Sequence, residues 1–313
     1  MKLPVKLGFI GAGRWMQTYH LPTAALLRET GEVSLMGIWN KTTSKAEKLA
    51  KEFKISKVYA SPQALMADPA IDGIIIAVSR QIAEQFLELA LHYDKAVLIE
   101  KPPTEESSTA KELGKISSQR ILVAFNRVFT PLFEMLKTYL PPKIERGSCT
   151  FHRVDRDDPN FVVETGVHAL MGNDLLFGPG QIIEIKRMTK DNTPVTRWLA
   201  KVAYPESNNL IIEYDFHPWS DLAIERYSYF STELEISAHF HQHYAKDDPE
   251  ALFIKRGDKV LIYSTDQFEL LEQQGYLREH LAFIEIVRGV QTSEIDLLRT
   301  ARVMELAEEI TYR

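Results

Sequence analysis

Residues 5–13 read VKLGFIGAG, an apolar run that leads into a glycine turn. The apolar part predicts a β-strand, and the amphipathic stretch 16–28 predicts the helix that follows it. Gly11 and Gly13 then lie where a dinucleotide pyrophosphate approaches backbone N–H groups at a helix N-terminus, and a side chain at the second glycine would block that approach. The third position of this glycine pattern is Met16, which predicts a slightly wider fit of the helix on the sheet. The turn therefore predicts a dinucleotide-binding site.

Short apolar runs alternate with amphipathic stretches along the N-terminal part of the chain. After the strand at 5–10, strands are predicted at 33–39, 71–78, 96–99 and 121–125, and helices at 44–53, 82–92 and 105–117. This alternation indicates βαβ units with right-handed crossovers and a parallel sheet. We predict an α/β Rossmann domain with a doubly wound parallel sheet over residues 1–122.

The pattern changes after residue 126. Helices are predicted at 131–139, 164–177, 276–288 and 296–312, and strands at 182–188, 210–216, 223–230 and 234–244. Polar turns separate the strand signals, with little helix between them. We predict a C-terminal α+β domain over residues 123–313 with a largely antiparallel, open-faced sheet. Because an uncovered sheet face tends to pair with another copy, we also expect a homodimer or higher homo-oligomer.

The composition limits the class of protein. The chain has 313 residues, a formal net charge of −6 and one cysteine, Cys149. The negative charge argues against a nucleic-acid-binding protein, and a single cysteine excludes an internal disulfide and a multi-cysteine metal site. No apolar run approaches the roughly 18 residues of a spanning helix, and the N-terminus has no signal-peptide pattern. We therefore expect a soluble, cytoplasmic protein with neither a membrane nor a nucleic acid as partner.

The residues after the second strand bear on the choice of cofactor. An NAD-preferring site usually places Asp or Glu here to accept from the ribose 2′-hydroxyl, whereas this chain has Asn40, Lys41 and Thr42. Asn40 is uncharged, and Lys41 and Lys45 are cations that would attract a 2′-phosphate. This favours NADP, with NAD as the alternative. In a second interpretation, Asn40 and Ser44 only form the turn and cap the next helix.

The strand at 96–99 leads directly into Glu100, Lys101 and two prolines. Ligands of open α/β sheets lie beyond the carboxyl ends of the strands, which places Lys101 near a bound nicotinamide. A lysine next to that cationic ring loses its proton more readily, which suits work on a substrate hydroxyl. The alternative is a surface lysine in a strand-end turn.

Four motifs carry a resemblance to a known family: Gly11-Ala12-Gly13, Glu100-Lys101-Pro102, the run FNRVFTP at 125–131, and Gly166-Val167-His168. Over essentially its whole length the chain resembles the glucose-fructose oxidoreductase / inositol dehydrogenase / rhizopine-catabolism (Gfo/Idh/MocA) family. It looks most like the short members known as virulence-factor homologues. The resemblance implies an NAD(P)-dependent dehydrogenase or reductase that transfers hydride between nicotinamide and a polyol, sugar or sugar-derivative hydroxyl or carbonyl.

The resemblance also implies roles for individual residues. Lys101 would hydrogen-bond the reacting hydroxyl or carbonyl, and His168 would be the general acid/base, since imidazole titrates near neutral pH. Asn126 would lie near the nicotinamide or the substrate. The predicted cofactor-binding residues are Gly11, Gly13, Arg14, Trp15, Asn40, Lys41, Thr42, Ser79, Glu100, Lys101 and Asn126. The predicted substrate contacts are Asn126, Arg153, Glu164 and Asp174.

Some positions depart from the family's acid-x-Gly-x-His-x-x-Asp pattern. The matching positions are Glu164, Gly166 and His168. Met171 occupies the Asp position, and Asp174, one helical turn further on, is a candidate substitute. Ser79 and Ala83 replace a Pro and a His that are usual in the family. Two alternatives therefore stay open: a catalytically weak or inactive cofactor-binding sensor or partner protein, and an imine or enone reductase on the same scaffold.

Two polar groups carry weaker signals. His239, His241 and His243 alternate along a predicted strand, so they face one side of it. Without a supporting cysteine or carboxylate pattern, we expect an ordinary polar sheet face and no metal site. The charged stretch 153–158 is interpreted as a solvated loop.

Overall fold

The chain divides into two compact units. The computed structural model describes residues 3–116, 120–156, 158–189, 196–240 and 250–313. One unit comprises Met1–Asn126 and Tyr276–Ala301, and the other comprises Arg127–Gly275 and Arg302–Arg313. The sequence-based boundary between residues 122 and 123 differs from this division, because the chain returns to the first unit near its C-terminus. No helix in the described ranges combines the length and the apolar character needed to cross a membrane.

The first unit is built on a parallel sheet of six strands. They are β1 (Val5–Ile10), β2 (Val33–Trp39), β3 (Lys57–Val58), β4 (Gly73–Ile76), β5 (Ala96–Glu100) and β6 (Ile121–Ala124). Their order is β3-β2-β1-β4-β5-β6, and every neighbouring pair is parallel. This is the order of the doubly wound Rossmann sheet, so the predicted fold class is confirmed. The short strand β3 was not predicted, because two residues show no hydrophobic period.

Ten α-helices are described. They are α1 (Leu21–Glu29), α2 (Thr43–Phe53), α3 (Pro62–Met66), α4 (Arg80–His92), α5 (Ser107–Ile116), α6 (Pro131–Tyr139), α7 (Val167–Phe177), α8 (Leu270–Gln273), α9 (Tyr276–Val287) and α10 (Leu297–Tyr312). Two of them begin at a capping hydroxyl: that of Ser61 accepts from the Ala64 amide, and that of Thr130 accepts from the Phe133 amide, both at 3.1 Å. In both cases a proline follows the cap at the first helical position, where its missing N–H costs nothing.

Helix α9 belongs to the first unit because it packs against the central strand β4. A Cβ atom built on Gly73 would lie 2.9 Å from Val287 Cγ2 and 3.0 Å from Phe283 Cζ. Any larger residue at position 73 would therefore push the helix away from the sheet. Such a contact joins segments about 200 residues apart in the chain, so no local pattern could reveal it.

The second unit contains an eight-stranded sheet. Its strands are β7 (Arg146–His152), β8 (Gln181–Thr189), β9 (Thr196–Tyr204), β10 (Leu210–His217), β11 (Ile224–Phe230), β12 (Glu235–His239), β13 (Ala251–Arg256) and β14 (Lys259–Ser264). Their order is β14-β13-β12-β11-β7-β10-β9-β8. Neighbouring strands are antiparallel except β7 and β10, which are parallel. The predicted largely antiparallel sheet is therefore confirmed, although strands β7, β9, β13 and β14 were not predicted individually.

Helix α7 forms part of the core of the second unit. Every residue from Val167 to Asp174 is buried, so this helix has no solvent face over that range. A π-helical segment, Val162–Gly166, directly precedes it. The predicted helix at 164–177 therefore starts two residues earlier than expected, and its first turn is wider than an α-helical one.

Candidate functional site

The residues predicted to bind a cofactor follow the strands of the parallel sheet at one edge. One candidate follows each of the strands β1, β2, β4, β5 and β6: in that order, Gly11, Asn40, Ser79, Lys101 and Asn126. The carboxyl ends of parallel strands meet at the same edge of the sheet. The strand order reverses between β1 and β4, which is where ligands of open α/β sheets bind. The structure therefore brings the cofactor candidates of the first unit to one edge of its sheet.

The fold itself requires a glycine at position 11. Its φ is +107°, which L side chains rarely adopt, and a Cβ atom there would lie 2.3 Å from the carbonyl oxygen of Ala77. The Gly11 amide donates to the carbonyl of Trp39 at 2.9 Å, which joins the turn to the end of β2. Gly11 thus allows the ends of β1, β2 and β4 to approach one another closely.

The fold does not require a glycine at position 13. Its φ lies outside the left-handed region, it is exposed, and a Cβ atom there would meet no described atom within 4 Å. A side chain would instead project into the space at the start of the first helix, where a dinucleotide pyrophosphate would approach. The residues present therefore fit a dinucleotide, because a glycine that the packing does not need leaves this approach open.

We expect Gly13→Val to abolish tight NADPH and NADH binding while leaving the fold intact. The added side chain has room in the protein but would occupy the pyrophosphate path, so the Kd should rise by at least about tenfold, the equivalent of about 1.4 kcal/mol. Fluorescence titration and thermal unfolding would measure the two effects. Gly11→Ala is the matched control and should lower the Tm instead. Unchanged cofactor affinity in Gly13→Val would contradict this role.

The first helix accommodates Met16 by a local widening. Met16 is fully buried and opens a π-helical segment, Met16–His20, that leads into α1. The side chain of Gln17 donates to the carbonyl of Ala12 at 2.7 Å, which ties this segment back to the glycine turn. Arg14 and Trp15 are exposed beside the turn, with the guanidinium carbon 5.7 Å from the indole centroid.

The turn after β2 presents exposed polar side chains. Lys41 and Thr42 are exposed, as is Lys45 in the first turn of α2. The amide of Asn40 donates to the carbonyl of Thr42 at 3.0 Å, so Asn40 has the turn-forming role considered as an alternative. Thr42, not Ser44, is the N-cap of α2, and its hydroxyl makes no capping bond. These side chains stay candidates for contact with a ribose phosphate.

Three other strand ends carry candidate side chains. Ser79 is the exposed N-cap of α4, and its hydroxyl makes no capping bond to the helix. Glu100 ends β5 and is buried, whereas Lys101 is partly exposed and its peptide bond to Pro102 is cis. Asn126, 7% exposed, begins the 3-10 helix Asn126–Phe129 after β6.

A buried polar cluster in the first unit was not predicted from the sequence. His20 Nε2 lies 3.0 Å from Glu100 Oε1, and His20 Nδ1 lies 3.0 Å from His280 Nε2. Glu279, the neighbour of His280 on α9, is fully buried. The sequence did contain a signal for this cluster. The spacing i, i+3, i+4, i+7 places four residues on one face of α9: Tyr276, Glu279, His280 and Phe283. Two of these core positions therefore hold ionisable residues.

In the second unit, His168 lies in the first turn of α7 and is 8% exposed. Met171, at the position where the family pattern has Asp, is fully buried in the same helix. Both carboxylate oxygens of Asp174 accept from the guanidinium of Arg302, at 2.8 and 3.0 Å. Asp174 thereby connects α7 to α10, and its predicted substrate contact stays a prediction. Glu164 is part of the preceding π-helical segment.

Arg153 belongs to a buried ionic group. Its Nη2 donates to Glu225 Oε2 at 2.8 Å, while Arg127 Nε donates to Glu225 Oε1 at 2.9 Å. The Glu225 side chain is fully buried, and the Arg153 guanidinium also packs over the ring of Phe151 at 4.0 Å. Burial lowers the pKa of Arg153, and the charge of Glu225 opposes this shift. Arg153 is thus part of the packing of the second unit, and its predicted substrate contact stays a prediction.

Glu250 gives the second unit a pH-dependent stability. Burial raises its pKa from 4.5 to about 8, and nearby Arg127 only partly opposes this. Between these values the folded chain keeps a proton that the unfolded chain releases. The free energy of unfolding should therefore fall by up to about 1.4 kcal/mol per pH unit as the pH rises through this window, and level off above it.

The Glu250→Gln variant isolates this contribution. The glutamine amide cannot titrate, so the difference in unfolding free energy between variant and parent should grow from pH 5 to pH 8. Urea unfolding at several pH values would measure it. A constant difference across this range would show that Glu250 is ionised in the folded protein.

Other predicted positions are placed as follows. Lys101 belongs to the first unit and His168 to the second, and their joint role stays a prediction. His239 ends β12, with Nε2 3.0 Å from Ser237 Oγ, while His241 and His243 lie outside the described residues. Within the described ranges, no group of three or more His, Cys, Asp or Glu side chains could hold a metal ion.

Comparison with curated proteins gives partial matches. The chain is 28% identical over 130 residues to dTDP-3,4-didehydro-2,6-dideoxy-alpha-D-glucose 3-reductase of Saccharopolyspora spinosa, covering 41% of this chain and 38% of that protein. It is 26% identical over 183 residues to trans-1,2-dihydrobenzene-1,2-diol dehydrogenase of Xenopus laevis, covering 57% and 54%. The matched part thus spans about two fifths to about half the length of these relatives.

Solved structures match over nearly the whole chain. A dehydrogenase named MviM from Clostridium difficile has a TM-score of 0.84 at 19% identity and covers 98% of both chains. KijD10, a 3-ketoreductase from Actinomadura kijaniata in complex with NADP and TDP-benzene, has a TM-score of 0.79 at 14% identity and covers 98% of this chain and 97% of that one. At these identities the similarity shows a shared fold.

A family model matches the N-terminal part of the chain. It is described as "Oxidoreductase family, NAD-binding Rossmann fold" and matches residues 5–125. This range contains β1 to β6 and the glycine turn, and it ends just before Asn126. Residues 5–125 are therefore similar to the NAD-binding Rossmann domain of the Gfo/Idh/MocA oxidoreductase family.

Proposed function

We propose that this protein is an NAD(P)-dependent dehydrogenase or reductase acting on a hydroxyl or carbonyl group of a polyol, sugar or sugar derivative. The observation that carries the proposal is the family's Rossmann domain, in which a glycine turn and Lys101 follow β1 and β5 at one edge of the sheet. The curated relatives support the substrate class, since their names include a deoxysugar reductase and inositol dehydrogenases. We further propose that the chain groups with the short virulence-factor homologues.

In this proposal the protein contributes positioning and one proton transfer. A bound nicotinamide supplies the hydride acceptor or donor. The ammonium of Lys101 donates a hydrogen bond to the reacting oxygen, and the imidazole of His168 takes or returns the proton. A histidine can do so without a metal because its pKa lies near neutral pH. Asn126 and Glu164 are proposed to contact substrate groups around this centre.

A panel of polyols, sugars and sugar derivatives tests the proposal. Oxidation is followed by the absorbance of reduced nicotinamide as it forms, and reduction of the matching carbonyl compounds by its loss. Turnover of at least one polyol or sugar-like substrate is the expected result. Turnover of imines or enones alone would reassign the reaction to another reductase on the same scaffold.

For the cofactor we propose a preference for NADP over NAD. The exposed cations Lys41 and Lys45 follow β2, where an acidic residue would repel a 2′-phosphate. We expect NADPH to bind more tightly than NADH, and Lys41→Glu to weaken NADPH binding by about tenfold or more with little effect on NADH. Fluorescence titrations of both nucleotides measure this. Tighter binding of NADH by the parent protein would refute the preference.

A second candidate function is a cofactor-binding sensor with little catalysis. Met171 favours it, because a fully buried thioether stands at the position where the family pattern has a carboxylate. Tight cofactor binding together with inactivity across the whole panel would support the sensor.

We also propose a homodimer or higher homo-oligomer in a cytoplasmic setting. Ile183 and Met188 on β8 and Ile211 on β10 are exposed apolar side chains on the eight-stranded sheet. Burial of such side chains between two copies would be favourable. Size-exclusion chromatography with light scattering measures the state, and a monomer at micromolar concentration would contradict it.

A further inference from the structure

The two edges of the eight-stranded sheet differ in how they are protected from pairing with another strand. Strand β8 forms one edge and strand β14 forms the other. An edge strand presents unpaired peptide groups, and proteins usually guard such strands with charged side chains, prolines or β-bulges. The guards present on each edge therefore indicate which one can accept a further strand.

Strand β8 is guarded. Its pairing with β9 shifts register between Ile182 and Glu184, so the strand is irregular there. Charged side chains also lie along it, namely Glu184, Lys186 and Arg187, and Lys186 Nζ lies 2.8 Å from Glu184 Oε1. A strand added to β8 would meet this irregularity and would have to accommodate the charges. This edge is therefore poorly suited to pairing.

Strand β14 has none of these guards from Val260 to Ser264. This stretch, VLIYS, contains no charge and no proline, and its pairing with β13 is regular throughout. Val260, Leu261 and Ile262 are 52%, 57% and 61% exposed, so apolar side chains are exposed on both faces of the strand. Among the described residues, no strand pairs with the outer side of β14. Such an edge is a template for pairing with another chain.

The hairpin determines which peptide groups of β14 face outward. A two-residue turn at 257–258 joins β13 to β14, and Arg256 lies opposite Lys259. The pair that closes such a turn exchanges hydrogen bonds, and along an antiparallel ladder bonded and non-bonded pairs alternate. The peptide groups of Val260 and Ile262 therefore point away from β13, to the outer edge.

The two ends of β14 carry opposite charges. Basic residues lie around the turn that precedes the strand, and acidic residues follow it: Lys255, Arg256 and Lys259 at one end, and Asp266, Glu269 and Glu272 at the other. Asp258 is a carboxylate within the basic group. Two antiparallel copies would bring the basic end of each strand to the acidic end of the other, whereas parallel copies would bring like charges together. The charges therefore favour an antiparallel second copy as the partner.

We propose that β14 pairs with β14 of a second copy, antiparallel and about a twofold axis through Leu261. Leu261 then lies opposite its counterpart, and Val260 lies opposite Ile262 on each side of the axis. The three exposed apolar residues of each strand are thereby paired with one another, and the outward peptide groups of Val260 and Ile262 bond across the interface. This contact goes beyond the proposed function, since it uses neither the β8 and β10 side chains named above for oligomerisation nor the enzymatic activity.

Disulfide cross-linking of the full chain tests this pairing. Opposite residues of a non-hydrogen-bonded pair have Cα atoms about 4.5 Å apart, which is within reach of a disulfide. We expect Leu261→Cys to form a covalent dimer under mild oxidation with diamide, measured on gels without reductant. Ile262→Cys is the matched control: it is similarly exposed, but its two Cα atoms would lie more than about 7 Å apart, so it should react at least about tenfold more slowly. The natural Cys149 is buried.

A lysine on the edge gives a second test in the Leu261→Cys background. Ile262→Lys places a charge opposite the apolar Val260 of the other copy and should slow cross-linking by about tenfold or more. Ile211→Lys, on β10, leaves β14 untouched and should not change the rate.

Three results would overturn the proposal: no dimer of Leu261→Cys, equal or faster cross-linking of Ile262→Cys, or cross-linking that Ile262→Lys does not slow. The edge of β14 would then be left to a strand of another protein. A monomer in light scattering together with selective cross-linking of Leu261→Cys would contradict only the homo-oligomer proposed above, because so short a contact is weak on its own.

Discussion

Replacement of Lys101 by methionine is expected to lower kcat on an accepted substrate by about two to four orders of magnitude. Methionine keeps the length and much of the packing of the lysine stem but cannot donate a hydrogen bond to the reacting oxygen. The Kd for NADPH should change little, since the pyrophosphate is proposed to bind at the glycine turn after β1. Steady-state kinetics and fluorescence titration separate the two quantities.

Two further variants complete this experiment. Lys111→Met, on the exposed face of α5, is the matched control and should retain the parent's kcat. His168→Asn should lower kcat by a similar amount to Lys101→Met. If both residues serve the same proton transfer, the double variant should be only slightly slower than either single one, because residues that act as a unit are not additive. Full activity of Lys101→Met would remove this residue from the mechanism.

Replacement of Glu225 by leucine is expected to lower the free energy of unfolding by about 3–5 kcal/mol. The carboxylate is fully buried and pairs with Arg127 at 2.9 Å and Arg153 at 2.8 Å. Both arginine side chains are at most 15% exposed, so its removal leaves two cations without their common partner. Urea unfolding measures the change.

A surface pair on the same sheet provides the control. Glu213 lies 3.2 Å from Lys201, but both side chains are well exposed, so Glu213→Leu should change stability by at most about 1 kcal/mol. Changing Arg127 and Arg153 to methionine together with Glu225→Leu should recover most of the loss, because no buried charge then lacks a partner. A loss below about 1 kcal/mol in Glu225→Leu alone would show that the two arginines find other partners or water.

Much of the fold could be predicted because its signals are local. The strand Val5–Ile10, the helix Pro131–Tyr139 and the βαβ alternation each show a hydrophobic period within a few residues. The strand Arg146–His152 escaped prediction because it contains Gly, Ser, Thr and Arg and only one large apolar residue, Phe151. Its place between β10 and β11 depends on pairing with strands more than 60 residues away.

The residues of the candidate site also fall into two groups, those that the sequence could reveal and those that it could not. Gly11, Gly13 and Lys101 could be predicted, because each follows a strand whose position the sequence reveals. The partners of His20, Glu225 and His280 could not be predicted, because they lie far along the chain. A local signal exists for His280 alone, since the helical spacing of α9 places it at a core position. Arg153 and Asp174 were predicted as substrate contacts, and only the structure shows that they pair with Glu225 and Arg302.

The sequence by itself therefore determined the parallel sheet, the glycine turn and the residues at the strand ends, because these depend on short-range patterns and on the chirality of the chain. Only the tertiary structure shows that the fold requires Gly11, and that the packing does not require Gly13, which leaves space for a ligand there. It also decided that the segment Tyr276–Ala301 returns to the first unit, where His280 meets His20. Such contacts depend on distances between segments that are remote in sequence, and these distances exist only once the chain has folded.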